Sequence, residues 1–164
     1  MPSGRVHTRV GLALLLVLAA GTIYLWVPLT EYFGKDKLVE CGLLFVLAYF
    51  FGTFLFSPDM DLARSEAMYN WGLLRLLWYP YAKFLRHRGL SHIPILGTLS
   101  RVVYLLIMAY FGVFLANLTL GFNWQLSISD LLHQIDRTLF ASALLGLFLP
   151  DLFHILADRL TARQ

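Results

Sequence analysis

Four short stretches hold most of the side chains here that could do chemistry. "SPDMD" offers Asp59 and Asp61, "HRGLSH" offers His87 and His92, and "PDLFHILAD" offers Asp151, His154 and Asp158, while His7 stands alone in "GRVHTRV". Carboxylate and imidazole together suit a divalent metal, zinc first, with manganese or iron as alternatives. The spacings favour convergence. In a helix, positions 151, 154 and 158 return to one face, and Asp-x-Asp in an extended or turning segment points both carboxylates the same way. The glycine in "HRGLSH" permits a turn that brings two histidines onto one ion. Eight candidate ligands exceed one tetrahedral site, so the expectation is one or two ions. Arg88 could clamp a phosphate oxygen bidentately; its ordinary alternative is to anchor the chain at a membrane surface.

These residues must be positioned by a very apolar chain. It is 59% hydrophobic and 14% charged, with a mean hydropathy of +0.67, against about 45–50% apolar and about 25% charged in soluble domains. The excess collects in four runs, Val10–Val27, Leu38–Phe56, Val102–Leu120 and Leu139–Ala157. At about 1.5 Å per residue each approaches the thickness of a bilayer core. The expected fold is all-α: a polytopic four-transmembrane-helix bundle forming a single membrane-embedded metal-binding domain over residues 1–164. A cleaved signal peptide is the rival reading of the first run, but the run is long for one and "LAAG" is a weak cleavage site. Cys41 is the only cysteine, which excludes an internal disulfide and a thiolate-rich zinc cluster.

Four antiparallel spans put the N-terminus, residues 57–101 and the C-terminus on one side. That side holds ten Lys and Arg residues and the other only Lys35, Lys37 and Arg137. The bias places the first side in the cytoplasm, in a cytoplasmic (inner) membrane. All eight candidate ligands fall at that end. Ser91 and Pro94 resemble a helix start that would fix His92 at the mouth of the third span. Between spans two and three, Glu66–Trp78 reads as an interfacial amphipathic helix ended by Pro80, with Trp71, Trp78, Tyr79 and Tyr81 at headgroup level.

An uncompensated carboxylate in a bilayer costs about 2.5–3.5 kcal/mol on insertion scales. Four carboxylates among four imidazoles therefore call for cations. Taken singly, each residue has a plainer reading: a histidine near a helix end is commonly a cap, Asp59 and Asp61 could end a span in water, and Asp151 could accept a hydrogen bond beside Pro150. The joint arrangement is harder to explain without metal.

His7 before the first span, then "SPDMD", "HRGLSH" and "HILAD", resembles the predicted membrane-bound metal-dependent hydrolases. More closely, residues 57–104 are similar to a family of uncharacterised metal-binding membrane proteins; the likeness is looser at both ends. The resemblance implies that Asp59, Asp61, His87, His92, His154 and Asp158 are metal ligands, with His7 beside them and Asp151 less firmly so. A more distant similarity to zinc-dependent phospholipases and nucleases implies phosphoester hydrolysis.

The reading that follows is a membrane-bound metal-dependent hydrolase acting on a phosphoester or lipid-linked phosphate at the cytoplasmic face. Its partners would be the bilayer and that substrate, and one of Asp59, Asp61 or Asp151 would act as general base if not a ligand. The alternative is a non-catalytic protein whose metal staples the helix ends. A transporter is disfavoured because the middles of the first three spans lack ionisable residues. Haem needs no carboxylate cluster, and no nucleic-acid motif is present.

Overall fold

The computed structural model describes residues 4–84, 90–125, 127, 129 and 133–161. Among the described residues, seven helices carry the fold: α1 Gly4–Tyr24, α2 Trp26–Phe33, α3 Lys35–Phe54, α4 Glu66–Asn70, α5 Tyr79–Phe84, α6 Leu96–Leu120 and α7 Arg137–Thr161. Shorter 3-10 turns span Pro58–Asp61, Gly72–Trp78 and Leu90–His92. No strand occurs among the described residues, so the fold is all-helical. Four helices are long and apolar enough to cross a membrane, over Val6–Tyr24, Lys35–Phe54, Leu96–Leu120 and Arg137–Leu160.

These helices alternate in direction. Gly11 of α1 packs beside Tyr49 and Thr53 of α3, and His7 beside Asp158 of α7. Residues 45–49 of α3 meet Gly146 of α7, and Gly52 meets Leu147 and Pro150, so α3 and α7 run parallel. Their close approach depends on missing side chains. A Cβ at Gly146 would stand 2.5 Å from the Phe45 carbonyl oxygen and 2.8 Å from Ala48 Cβ. Small residues let apolar helices pack by close van der Waals contact, which hydrophobicity alone does not drive between lipid-like surfaces. The helix flanks facing away are apolar and open, as at Leu16, Ile23 and Leu118.

The buried core lies at one end of the bundle. Phe56, Met60, Ala67, Met68, Trp78 and Tyr81 form it, with Phe51, Trp71, Tyr104 and Leu147 packed against it. Trp78 sits at its centre, with ring centroids 5.3 Å from Trp71 and Tyr104 and 5.9 Å from Phe56. Such pairs add about 0.5–1.5 kcal/mol each beyond buried area. Two side chains tie this connection to the end of α3: Trp71 Nε1–H donates to the Leu55 carbonyl at 2.7 Å and Asn70 Nδ2–H to that of Phe54 at 2.8 Å. They satisfy carbonyls that a helix end leaves open.

Two expectations need correction here. Glu66–Trp78 is not one helix ended by Pro80. α4 stops at Asn70, Gly72 turns the chain at φ +56°, and Gly72–Trp78 continues as 3-10. Pro80 lies in the first turn of α5, where its missing N–H costs nothing. Trp78 and Tyr81 are core residues, while Leu73, Leu74, Leu76 and Leu77 face outward. The third apolar helix also begins at Leu96, ahead of Val102. Arg101 had seemed to mark a loop, but its charge is met inside the protein.

Candidate metal centre

Each wall of the centre has its own local cause. α3 ends at Phe54, and Ser57-Pro58 opens a 3-10 turn whose Ser57 Oγ accepts from the Asp59 N–H at 3.4 Å. Proline at the first helical position fits that turn, as its lost N–H would have no partner. The turn carries Asp59 and Asp61 back over the bundle end. Leu90–His92 forms a second turn, and Ser91 is not a helix cap there. It folds over the start of α6 so closely that a Cβ at Gly97 would stand 2.1 Å from the Ser91 carbonyl oxygen. Ile95 takes φ +70° to make the junction, a conformation that costs a β-branched residue about 1–3 kcal/mol. α1 supplies His7 from its first turns; α7 supplies His154 and Asp158 from its last.

Five of the eight candidate ligands converge. Asp158 Oδ1 lies 3.2 Å from His7 Nε2, while its Oδ2 lies 3.8 Å from His92 Nε2 and 3.9 Å from His154 Nε2. Asp59 Oδ1 lies 3.9 Å from His92 Nε2, and its Oδ2 3.5 Å from His154 Nε2. The His7 and His154 rings stack with centroids 3.9 Å apart. Two groups of three could each hold an ion: His7, His154 and Asp158, and Asp59, His92 and His154. His154 belongs to both, and the two Asp158 oxygens face different histidines.

The donor set fits a metal. Most of these N···O separations exceed the 2.7–3.2 Å of a good hydrogen bond. Donors about 2.0–2.2 Å from a shared tetrahedral ion stand about 3.3–3.6 Å apart. The observed 3.5–3.9 Å needs only small inward movement to reach that. His7 Nδ1 and His154 Nε2 are buried without a hydrogen-bond partner, an arrangement that costs free energy unless something else engages them. Burial alone would raise the Asp59 carboxyl, but His154, 3.5 Å away, and the nearby His92 and His7 rings hold it below its ordinary value.

Asp61 stands one step back. Ser91 Oγ–H donates to its Oδ2, which also lies 3.7 Å from His92 Nδ1, and Ser91 Oγ is 3.1 Å from that same nitrogen. Both groups engage the Nδ1 side of His92 and leave Nε2 aimed into the cluster. Asp151 does not join the cluster. Its Oδ2 accepts from Arg101 and Thr98 of α6, and all three side chains are buried. His87 and Arg88 lie outside the described residues.

Arg101 is what reading the sequence missed, having counted it only as a surface cation. The available signal was an arginine and an aspartate next to apolar runs predicted to neighbour each other, since intramembrane charges pair. A cavity of about 270 Å³ opens beside the cluster, and His7, Asp59, His154, Asp151, Arg64 and Glu66 are among the residues that wall it.

The family described as "Uncharacterized metal-binding protein (DUF2227)" matches residues 2–164. An uncharacterized protein of Aquifex aeolicus (strain VF5) is 37% identical over 125 residues, covering 70% of this chain and 86% of that one. No solved structure matches.

Proposed function

This chain belongs to that uncharacterized metal-binding family, and we propose that it is a membrane-bound metal-dependent hydrolase of phosphoesters, with its centre at the cytoplasmic end of four membrane-spanning helices. The convergence of His7, Asp59, His92, His154 and Asp158 beside a cavity carries the reading. Those five residues would hold one or two ions, zinc first and manganese or iron next, with His154 and Asp158 shared if there are two. A bound divalent ion supplies Lewis acidity and makes water a usable nucleophile near neutral pH.

The protein's own groups divide the remaining work. Asp61 and Ser91 fix the His92 ring so that Nε2 faces the cluster, the task carboxylates commonly perform behind metal-binding histidines. Asp59 lines the cavity, and its side chain is 22% exposed against 0% for Asp61 and 8% for Asp158. Where one ion is held by His7, His154 and Asp158, Asp59 is left off the metal and is the carboxylate best placed to take a proton from an attacking water. In the hydrolysis, the water oxygen bonds to phosphorus, the P–O ester bond breaks, and a proton passes to the departing alkoxide. Bilayer insertion is supported by the four long apolar helices and their outward apolar flanks; the sidedness rests on the ten-to-three distribution of Lys and Arg.

A structural staple is the second reading, favoured by donors drawn from four separate elements. Metal content and phosphoesterase turnover of the purified protein, wild type beside His92→Ala and Asp61→Ala, test the two together. Bound metal with turnover that falls in both variants supports the hydrolase. Bound metal without turnover on any phosphoester, and unfolding when metal is removed, supports the staple. No metal after supply of zinc, manganese and iron rejects both.

A further inference from the structure

The cavity beside the cluster contains a charge that the metal reading leaves without a task. Arg64 is the one permanent cation among the described residues that line it. Three other cations have partners: Arg101 pairs with Asp151, Arg75 lies over the Tyr69 ring at 5.4 Å, and Lys37 pairs with Asp136 at 2.7 Å. Arg64 makes no ion pair or hydrogen bond among the described residues.

Its side chain is exposed, but the backbone that carries it is fixed. The Leu62 N–H donates to the Asp59 carbonyl at 2.9 Å, the Ser65 N–H donates to the Leu62 carbonyl at 3.1 Å, and Ser65 Oγ caps α4 by accepting from the Met68 N–H at 3.1 Å. The backbone that carries Asp59 into the cluster therefore also carries Arg64 to the cavity, through one hydrogen-bonded turn. A planar guanidinium matches a phosphoryl group bidentately and stays charged at any working pH.

We infer that this cavity is the substrate pocket, and that Arg64 holds the phosphoryl oxygens of a small phosphoester headgroup while the ester faces His7, Asp59 and His154. This rests on the hydrolase reading above and adds to it the residue that receives the anion and a limit on size. About 270 Å³ falls below the usual range of roughly 300–1,000 Å³ for small-molecule pockets. A headgroup fits; an acyl chain stays outside. Lipid-borne and soluble phosphomonoesters share this chemistry.

Binding of glycerol phosphate and of inorganic phosphate to the purified protein separates the possibilities, measured by calorimetry with and without added metal. A parallel arm uses nanodiscs containing phosphatidic acid. Arg64→Ala, Arg64→Lys and, as a control, Arg75→Ala are compared with wild type, and metal content is read on the same samples. A charge-assisted contact is worth about 1.5–3 kcal/mol, so Arg64→Ala should weaken phosphate binding by roughly 10- to 150-fold. Arg64→Lys should recover part of the loss, and Arg75→Ala should match wild type. Metal content should be unchanged throughout. If the soluble arm responds, the pocket takes a free phosphomonoester; if only the nanodisc arm responds, it takes a lipid headgroup. Phosphate binding that is equal in wild type and Arg64→Ala, or absent from metal-loaded wild type in both arms, overturns the inference while leaving the metal centre intact. Wild type that holds no metal overturns the hydrolase reading instead, and Arg64-dependent phosphate binding would still show in the metal-free samples.

Discussion

Asp151 and Asp158 lie on one face of α7, about two turns apart, and have been given opposite surroundings. Asp151 faces α6, where Arg101 and Thr98 supply a permanent cation and a hydroxyl from the protein itself. Asp158 faces three histidines, His7, His92 and His154. The first acid is neutralised once, at folding. The second has imidazoles for neighbours, which are good metal ligands. The difference separates a charge used to join helices from groups that could hold a metal ion.

Four substitutions test that separation, in descending order of effect. His154→Ala removes the residue common to both ligand groups, so the purified protein should carry no metal by elemental analysis while its helical content stays near wild type. Retained stoichiometric metal would contradict the shared role. Arg101→Leu leaves Asp151 buried and uncompensated, which costs about 3–5 kcal/mol. Denaturant unfolding in detergent should show that loss, and Arg101→Leu with Asp151→Leu should recover most of it. The folded fraction of either should still bind metal; loss of metal in the double variant would place Asp151 in the centre after all. Asp61→Asn keeps shape and removes the charge behind His92, with an expected 10- to 100-fold weakening of metal affinity by competition with a chelator. Equal affinity would make Asp61 a bystander.

The smallest effect lies at the far end of the bundle. The Lys37 ammonium hydrogen-bonds the Asp136 carboxylate, which also accepts from the Thr138 and Leu139 N–H groups, and the carboxyl is lowered to about 2. A depressed carboxyl contributes stability above its ordinary value of 3.8, and that contribution is lost as pH falls toward about 2. Lys37→Ala should move the Asp136 titration upward toward 3.8 in a carboxyl-resolved NMR measurement, with the metal centre unaffected. An unmoved titration would assign the shift to the backbone donors.

The four long helices were legible because run length and the absence of charge report them directly. Gathering the chemistry at one end was legible too, because alternating spans fix which termini share a side. What escaped was pairing between elements. Hydropathy treats Arg101 as a stop, so α6 seemed to begin after it; only the nearby Asp151 explains a charge within that helix. Helical spacing put Asp151, His154 and Asp158 on one face correctly, yet two turns of rise give Asp151 a different neighbour. Ser91 looked like a helix start because local chemistry cannot show that its hydroxyl is used by Asp61. The Glu66–Trp78 pattern looked continuous because one glycine at positive φ breaks a helix without changing the sequence of apolar residues.

His154 and Asp158 come from α7, His7 from α1, and both ligand groups include His154. Among the described residues, a growing chain that has made α1, α3 and α6 thus holds histidines and aspartates but neither of these two groups. An ion held by either group would enter only once α7 is synthesised and packed against α3, so filling the centre would report on assembly.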